Sequence, residues 1–225
     1  MFVMAEPMTK DGFITPSEIT YQDSKLSLLL RPLEEKDAAV IHEAVMLSLN
    51  SFRTFMDWAH RELSVEGQLQ RIRKSQEGYA KGTEFDFSVF DKNTGEFLMS
   101  ATLGPSRTPN KKALSIGYWT SINHCNKGFA TLITKILTTV AFDYMGCNRV
   151  EIGCNKANEK SIRVIEKCDF TFEGRARNYF TEPSYEMIQN GYYPDRTCVQ
   201  YALIPQDLKS LPWFEEIKSK LVIKP

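Results

Sequence analysis

An excess of charge of either sign is missing from this 225-residue sequence: 28 Lys and Arg stand against 28 Asp and Glu. No global field therefore gathers nucleic acid or an anionic lipid surface, and neither partner is expected. A CxxC pair is missing too. The five cysteines, Cys125, Cys147, Cys154, Cys168 and Cys198, are odd in number. That argues against a disulfide framework or a zinc knuckle and reads as reduced thiols in a cytoplasmic protein. No apolar run approaches the ~20 residues that span a bilayer. The opening residues hold a lysine but lack the apolar segment of a secretory signal. There are no repeats and no low-complexity tract. No GxGxxG follows a first strand, so a dinucleotide-binding fold is not expected. The three histidines, His42, His60 and His124, form no constellation with Ser or Cys, and His124 reads as facing solvent. What is present is ordinary for a globular chain: 42% hydrophobic and 25% charged residues, enough for one sizeable core and short for two.

Along the chain, residues 1–24 contain Pro7, Gly12 and Pro16 without a period and read as an extension, partly ordered at best. Residues 26–30 read as a first strand, stopped at Pro32. A helical stretch follows with Ala38, Ile41, Ala44 and Val45 at helix spacing. A second amphipathic helix covers 65–79. Alternation at 85–90, a turn at 91–95 and a return over 96–103 predict a hairpin. Residues 114–119 are a strand. Beyond a loop, Phe129, Leu132, Ile133, Ile136, Leu137, Val140 and Tyr144 recur at steps of three and four. Thr131, Thr134, Lys135 and Thr138 fill the other face of that helix. A strand at 149–153 leads to Asn158, which opens a short helix. Two closing strands begin at Phe170 and Thr197. Residues 206–225 read as a tail or docked helix. The order of elements predicts an α/β domain with a mixed sheet.

The chemistry gathers at residues 114–133. The loop from Trp119 to Phe129 ends at Gly128, directly before a helix. Amides at a helix N-terminus lack intrahelical partners, and the helix dipole adds positive potential, so such a loop suits an anion. Gly128 lets a phosphate approach the backbone with no Cβ in the way. A glycine before a helix is also an ordinary turn, and the loop by itself leaves both readings open.

The flanks decide. Cys125-Asn126-Lys127-Gly128-Phe129-Ala130 resembles the Arg/Gln-x-x-Gly-x-Gly/Ala motif with which GNAT acetyltransferases cradle the pyrophosphate of coenzyme A. Ile116-Gly117-Tyr118-Trp119 is similar to the strand before that motif. Asn158 to Phe170 resembles the family's Asn-x-x-Ser segment and its continuation, and Phe170-Thr171-Phe172-Glu173-Gly174 the Phe-x-x-Glu-Gly turn of the RimJ/RimL branch. The likeness covers residues 25–205. It implies the GNAT fold, with a mixed sheet of about six to seven strands flanked by helices. It also implies acetyl transfer from acetyl-CoA to a primary amine by direct attack in a ternary complex, with no metal. For the RimJ/RimL branch the acceptor is a protein N-terminus. A small amine such as an aminoglycoside or polyamine, or a non-catalytic acyl-CoA sensor, are the alternatives. The active form is expected to be a monomer or homodimer.

Carried over residue by residue, the resemblance makes Ser161 the acid that protonates the leaving thiolate. Tyr118, Trp119, Cys125, Asn126, Lys127, Gly128, Phe129, Ala130 and Asn158 become cofactor contacts, and Trp58 and Glu173 border the acceptor. On the residues alone, Ser161 and Asn158 are as readily helix caps, and Glu173 a turn carboxylate. Glu84, Asp86 and Glu182 read as acceptor-lining acids or solvated charges. Three positions depart from the family pattern. Cys125 replaces Arg or Gln, Ser115 stands where relatives often carry Glu, and Ile165 stands where many relatives carry a Tyr acid.

Overall fold

The computed structural model describes residues 13–108 and 112–225. The first twelve residues of the expected extension, and 109–111 of the loop after Gly104, lie outside the described residues. The strands are β1 (Glu18–Gln22), β2 (Ser27–Pro32), β3 (Phe85–Asp91), β4 (Phe97–Pro105), β5 (Ala113–Thr120), β6 (Arg149–Asn155), β7 (Thr171–Ala176), β8 (Cys198–Leu203) and β9 (Leu221–Lys224). The helices are α1 (Ala38–Arg53), α2 (Val65–Lys81), α3 (Phe129–Thr139), α4 (Glu159–Lys167), α5 (Tyr185–Gln189) and α6 (Phe214–Ser219). All nine strands share one sheet, in the order β7-β8-β6-β5-β4-β3-β2-β1-β9. Every pairing is antiparallel except β5 with β6.

Alternation in the sequence sorts the two faces. Phe85, Phe87 and Val89 of β3 are fully buried in a cluster with Ile133, Ile136 and Leu137 of α3 and Ile165 of α4. On the other side, Phe97 and Trp119 join Ile41 and Val45 of α1 and Ile72 of α2. α2 starts as its sequence suggests, with the Ser64 hydroxyl accepting the Gly67 N–H at 3.0 Å. It stops at Gly82, in the left-handed conformation. α3 runs on into a π-helical turn, Val140–Tyr144.

The other face of α3 is not given over to solvent. Thr134 and Thr138 on it, and Thr139 beside them, are buried. Their hydroxyls bond back to the carbonyls of Ala130, Thr134 and Lys135 at 2.8–3.0 Å, which satisfies a polar group inside the core.

Nine strands exceed the six to seven expected, and both ends of the chain explain the excess. Residues 18–22, assigned to the extension, pair with β2 through Ile19↔Leu30 and with β9 through Ile19↔Ile223. Ile19 and Tyr21 are buried beneath them. At the other end the docked helix holds only for α6, which lies against α3 and buries Phe214 and Ile217. Trp213 beside it donates its indole N–H to Asp169 at 2.9 Å. The chain then leaves the helix and closes the sheet as β9.

Candidate active site

β5 and β6 run parallel and pair only from Ala113↔Arg149 to Ile116↔Ile152. β5 continues to Thr120 and β6 to Asn155, each held by its outer neighbour. Gly117 and Trp119 face Thr102 and Ser100 of β4, and Cys154 and Asn155 face Val199 and Cys198 of β8. The inner edges of 117–120 and 153–155 are therefore not paired with each other. Such edges present N–H and C=O groups that an extended, amide-bearing ligand can complete, as an added strand would. α3 begins beyond the carboxyl end of β5 and α4 beyond that of β6, which is where α/β sheets place ligands.

The loop leading to α3 is built for approach. A single 3-10 turn, Ile122–His124, is pinned to α1 by the Ile122 N–H donating to Ser48 Oγ at 2.9 Å. Asn126 has φ 62 and Gly128 φ 87. Gly128 is the N-cap of α3 and supplies no side-chain cap, so the first-turn amides of that helix keep their donor capacity. Asn126, Lys127 and Gly128 are exposed, and Phe129 and Ala130 half-buried. His124 does not face solvent as expected. It is buried, with Nε2 3.2 Å from the Glu96 carboxylate and its ring edge-on to Phe129 at 6.1 Å.

Cys125 turns inward. Its thiol lies 3.8 Å and 3.6 Å from the carbonyls of Thr120 and Ser121, two weak contacts within the loop itself. Cys125→Ala is accordingly expected to keep acetyl-CoA affinity within about tenfold, the size of one neutral side-chain hydrogen bond. Isothermal titration checks this; a loss beyond a hundredfold would make the side chain a ligand in its own right.

On the far side of the gap, Asn155 Oδ1 accepts the Ala157 N–H at 2.9 Å, and Asn158 Oδ1 accepts the Ser161 N–H at 3.2 Å. Asn158 is thus the N-cap of α4. Ser161 sits half-buried in the first turn with its hydroxyl left over from capping. The two aromatics of β5 part company. Trp119 is buried on the α1 side against Phe52 and Phe97, ring centroids 5.3 Å and 5.6 Å away, so its indole is a packing residue and only its backbone lines the gap. Tyr118 packs on the α3 and α4 side. Its phenolic oxygen is buried without a hydrogen-bond partner.

The two residues placed at the acceptor have these surroundings. Trp58 is half-buried, its ring tilted against Phe52 at 5.5 Å and packed against the second hydrophobic cluster. Glu173 makes a bidentate pair with Arg149 at 2.5 and 2.8 Å. Arg149 opens β6, at the opposite end from the gap, so Glu173 stands away from it. Asp86 is buried and accepts the Thr102 hydroxyl. Burial, and then Asp86, push the Glu84 carboxyl above its ordinary value. Glu182 is exposed, 3.6 Å from Arg196.

Beside the gap lies the excursion between β7 and β8, of which the sequence reading singles out only Glu182. Arg177, Asn178, Glu182, Pro183, Ile188, Pro194, Asp195, Arg196 and Thr197 line an open groove of about 960 Å³. It abuts the carboxyl end of β6. Asn155 donates from Nδ2 to the Asp195 carbonyl at 2.5 Å, and the Lys156 N–H donates to Thr197 at 3.0 Å. Lys156 Nζ, 2.5 Å away, holds the Asp195 carboxyl down to about 2. A smaller cavity of about 250 Å³ joins this excursion to Asp57, His60 and Arg61, the neighbours of Trp58. Among the described residues, no three or more His, Cys, Asp or Glu side chains are grouped to hold a metal ion. No helix there is long and apolar enough to cross a membrane.

Known proteins share this arrangement. The family model "Acetyltransferase (GNAT) domain" matches residues 27–171. The "Probable N-acetyltransferase YjcK" of Bacillus subtilis (strain 168) is 30% identical over 152 residues, 67% of this chain and 84% of its own. Among solved structures, RimJ of Mycobacterium smegmatis in complex with CoA-disulfide superposes with a TM-score of 0.75 at 18% identity, covering 92% of this chain and 96% of that one. RimL, the ribosomal L7/L12 alpha-N-protein acetyltransferase, in complex with coenzyme A, gives 0.67 at 21% identity over 82% and 97%. Both structures share the fold. With its unpaired strand edges, its glycine-capped helix and these relatives, the chain belongs to the GNAT family of acetyl-CoA-dependent N-acetyltransferases.

Proposed function

We propose that the chain moves the acetyl group of acetyl-CoA onto the N-terminal α-amino group of a protein, by direct attack within a ternary complex. The observation that carries the acceptor class is the open groove of about 960 Å³ beside the carboxyl end of β6. It is wide enough for several residues of extended chain, and its mixed lining of Arg177, Arg196, Glu182 and Ile188 suits a peptide. The loop at 125–130 would hold the pyrophosphate, the edges of β5 and β6 the pantetheine amides, and Ser161 the departing sulfur. An α-amino group has a pKa of about 7.7–8.0, so enough is neutral at physiological pH for water to remove the proton after attack. Much of the rate then comes from positioning.

A small polycationic amine is the second reading, favoured by the adjacent Glu84 and Asp86 on the sheet face that also carries Gly117. One assay separates the two. Acetyl-CoA consumption is followed against peptides that differ in their first residues, with polyamines and aminoglycosides alongside. Turnover of peptides with a free N-terminus, lost on blocking the α-amine, is the expected result. Turnover of the polyamine alone transfers the assignment to the second reading, and binding without turnover of any amine to a sensor.

A further inference from the structure

Ser161 is a weak acid for its task. An aliphatic hydroxyl gives up a proton far less readily than a thiol does, so alone it can offer the departing sulfur a hydrogen bond but little proton. The structure places a better acid behind it. Tyr118 projects from β5 just beyond the last residue that pairs with β6, toward α4. Its phenolic oxygen is shut off from solvent and has no hydrogen-bond partner. A buried hydroxyl left unmade costs stability, and such a group calls for a role. The Ser161 side chain stands beside it, close enough to bear on its ionisation though not in hydrogen-bond geometry. A turn of the Ser161 side chain about χ1 is the movement that would bring the two oxygens together.

We propose that Tyr118 is the proton source behind Ser161, the two hydroxyls forming a relay that ends at the leaving sulfur. This rests on the acetyl-transfer reading above and on Ser161 as the group nearest the sulfur. In the step, the acceptor nitrogen bonds to the thioester carbonyl carbon and the carbon–sulfur bond breaks, its electron pair leaving with sulfur. Sulfur takes the Ser161 proton while the Ser161 oxygen takes the proton of Tyr118. The nitrogen loses its extra proton to water, and one proton returns from water through the half-buried Ser161 hydroxyl to the Tyr118 oxygen, so the enzyme ends as it began.

The surroundings keep the relay loaded. Burial pushes the Tyr118 phenol above its ordinary value, so it remains protonated throughout the assay range. The other titratable groups facing it are the thiols of Cys154 on β6 and Cys168 at the end of α4. Burial pushes both up to about 12, so neither changes charge under the same conditions. Ile165, one helical turn after Ser161, carries no acidic proton.

Tyr118→Phe tests the relay, because it keeps the ring and removes only the oxygen. The variant is expected to be as stable as the parent or slightly more so, since no bond is lost. Its kcat is expected to fall about a hundredfold, within the range of general acid effects, at unchanged KM for acetyl-CoA. The double variant Tyr118→Phe/Ser161→Ala is expected to be no slower than Ser161→Ala alone, as two members of one relay are not additive. Losses that multiply would overturn the proposal. So would Tyr118→Phe turning over within twofold of the parent, a loss confined to KM, or a slow Tyr118→Phe beside a fully active Ser161→Ala. The kinetics are run with whichever amine the parent enzyme accepts, so an error about the acceptor shows up in the parent and not in this comparison.

Discussion

Gly128→Val is expected to abolish measurable acetyl-CoA binding while the protein stays folded. Two observations support both halves of that result. Gly128 has φ 87, a conformation open to glycine and strained for a β-branched residue. Strain of this kind costs roughly 1–3 kcal/mol, which a folded domain survives. A Cβ built at the position meets no protein atom within 4 Å, so nothing in the core has to move. The damage is local. The loop relieves the dihedral by turning, and the first-turn amides of α3 turn with it. A valine that keeps the dihedral instead puts its branched carbon on the exposed side, where the anion must approach. Titration calorimetry beside a thermal melt reads both quantities. Near-normal affinity in a folded Gly128→Val would mean that the pyrophosphate is held elsewhere, and the tolerated Cys125→Ala would lose its meaning as a contrast.

Ser161→Ala is expected to lower kcat about a hundredfold with KM for acetyl-CoA nearly unchanged. Stability is the telling control. A serine in the first turn of a helix is often its cap, and losing a cap costs about 1 kcal/mol. Here the cap is Asn158, whose side chain accepts the backbone N–H of Ser161. Alanine keeps that N–H, so Ser161→Ala should melt with the parent, whereas Asn158→Ala should lose about 0.5–2 kcal/mol. Steady-state kinetics and urea denaturation on both variants separate the roles. A Ser161→Ala that turns over normally would remove this hydroxyl from the reaction.

The middle of the chain could be read from sequence because its signals are local. The alternation of Phe85, Phe87 and Val89, the three-and-four spacing through α3, and the order strand, glycine loop, helix need only near neighbours to be interpreted. Long-range partners were not legible. β1 and β9 are five and four residues long, too short to show a period; β1 pairs with β2 on one side, and β9 is a strand because β1 lies beside it some 200 residues away. His124 reads as solvated because Glu96, its partner, lies in the distant turn between β3 and β4. Glu173 sat in a turn that matched a family pattern, yet Arg149 claims it. The excursion at 177–197 carries Pro183, Pro194 and Gly191 and no regular spacing. Its groove exists through hydrogen bonds to Asn155 and Lys156 that no pattern announces. Tyr118 and Trp119 were assigned to the site together, though the two-residue period of a strand must send them to opposite faces.

The short pairing between β5 and β6 also has a mechanical meaning. Four register pairs, Ala113↔Arg149 to Ile116↔Ile152, are the main-chain seam between a three-stranded plate, β7-β8-β6, and a six-stranded one, β5-β4-β3-β2-β1-β9. Each plate is laced internally by antiparallel ladders, while the seam is laced along only half its height. Relative rotation of the plates is resisted at the closed end and least resisted at the open one, like the jaws of a clothes-peg. A molecule whose amides bond to both free edges shares load with the seam. A donor substrate bound in that way would leave the enzyme stiffest when seated, and the loosest part of the sheet would be the part through which it enters and the product leaves.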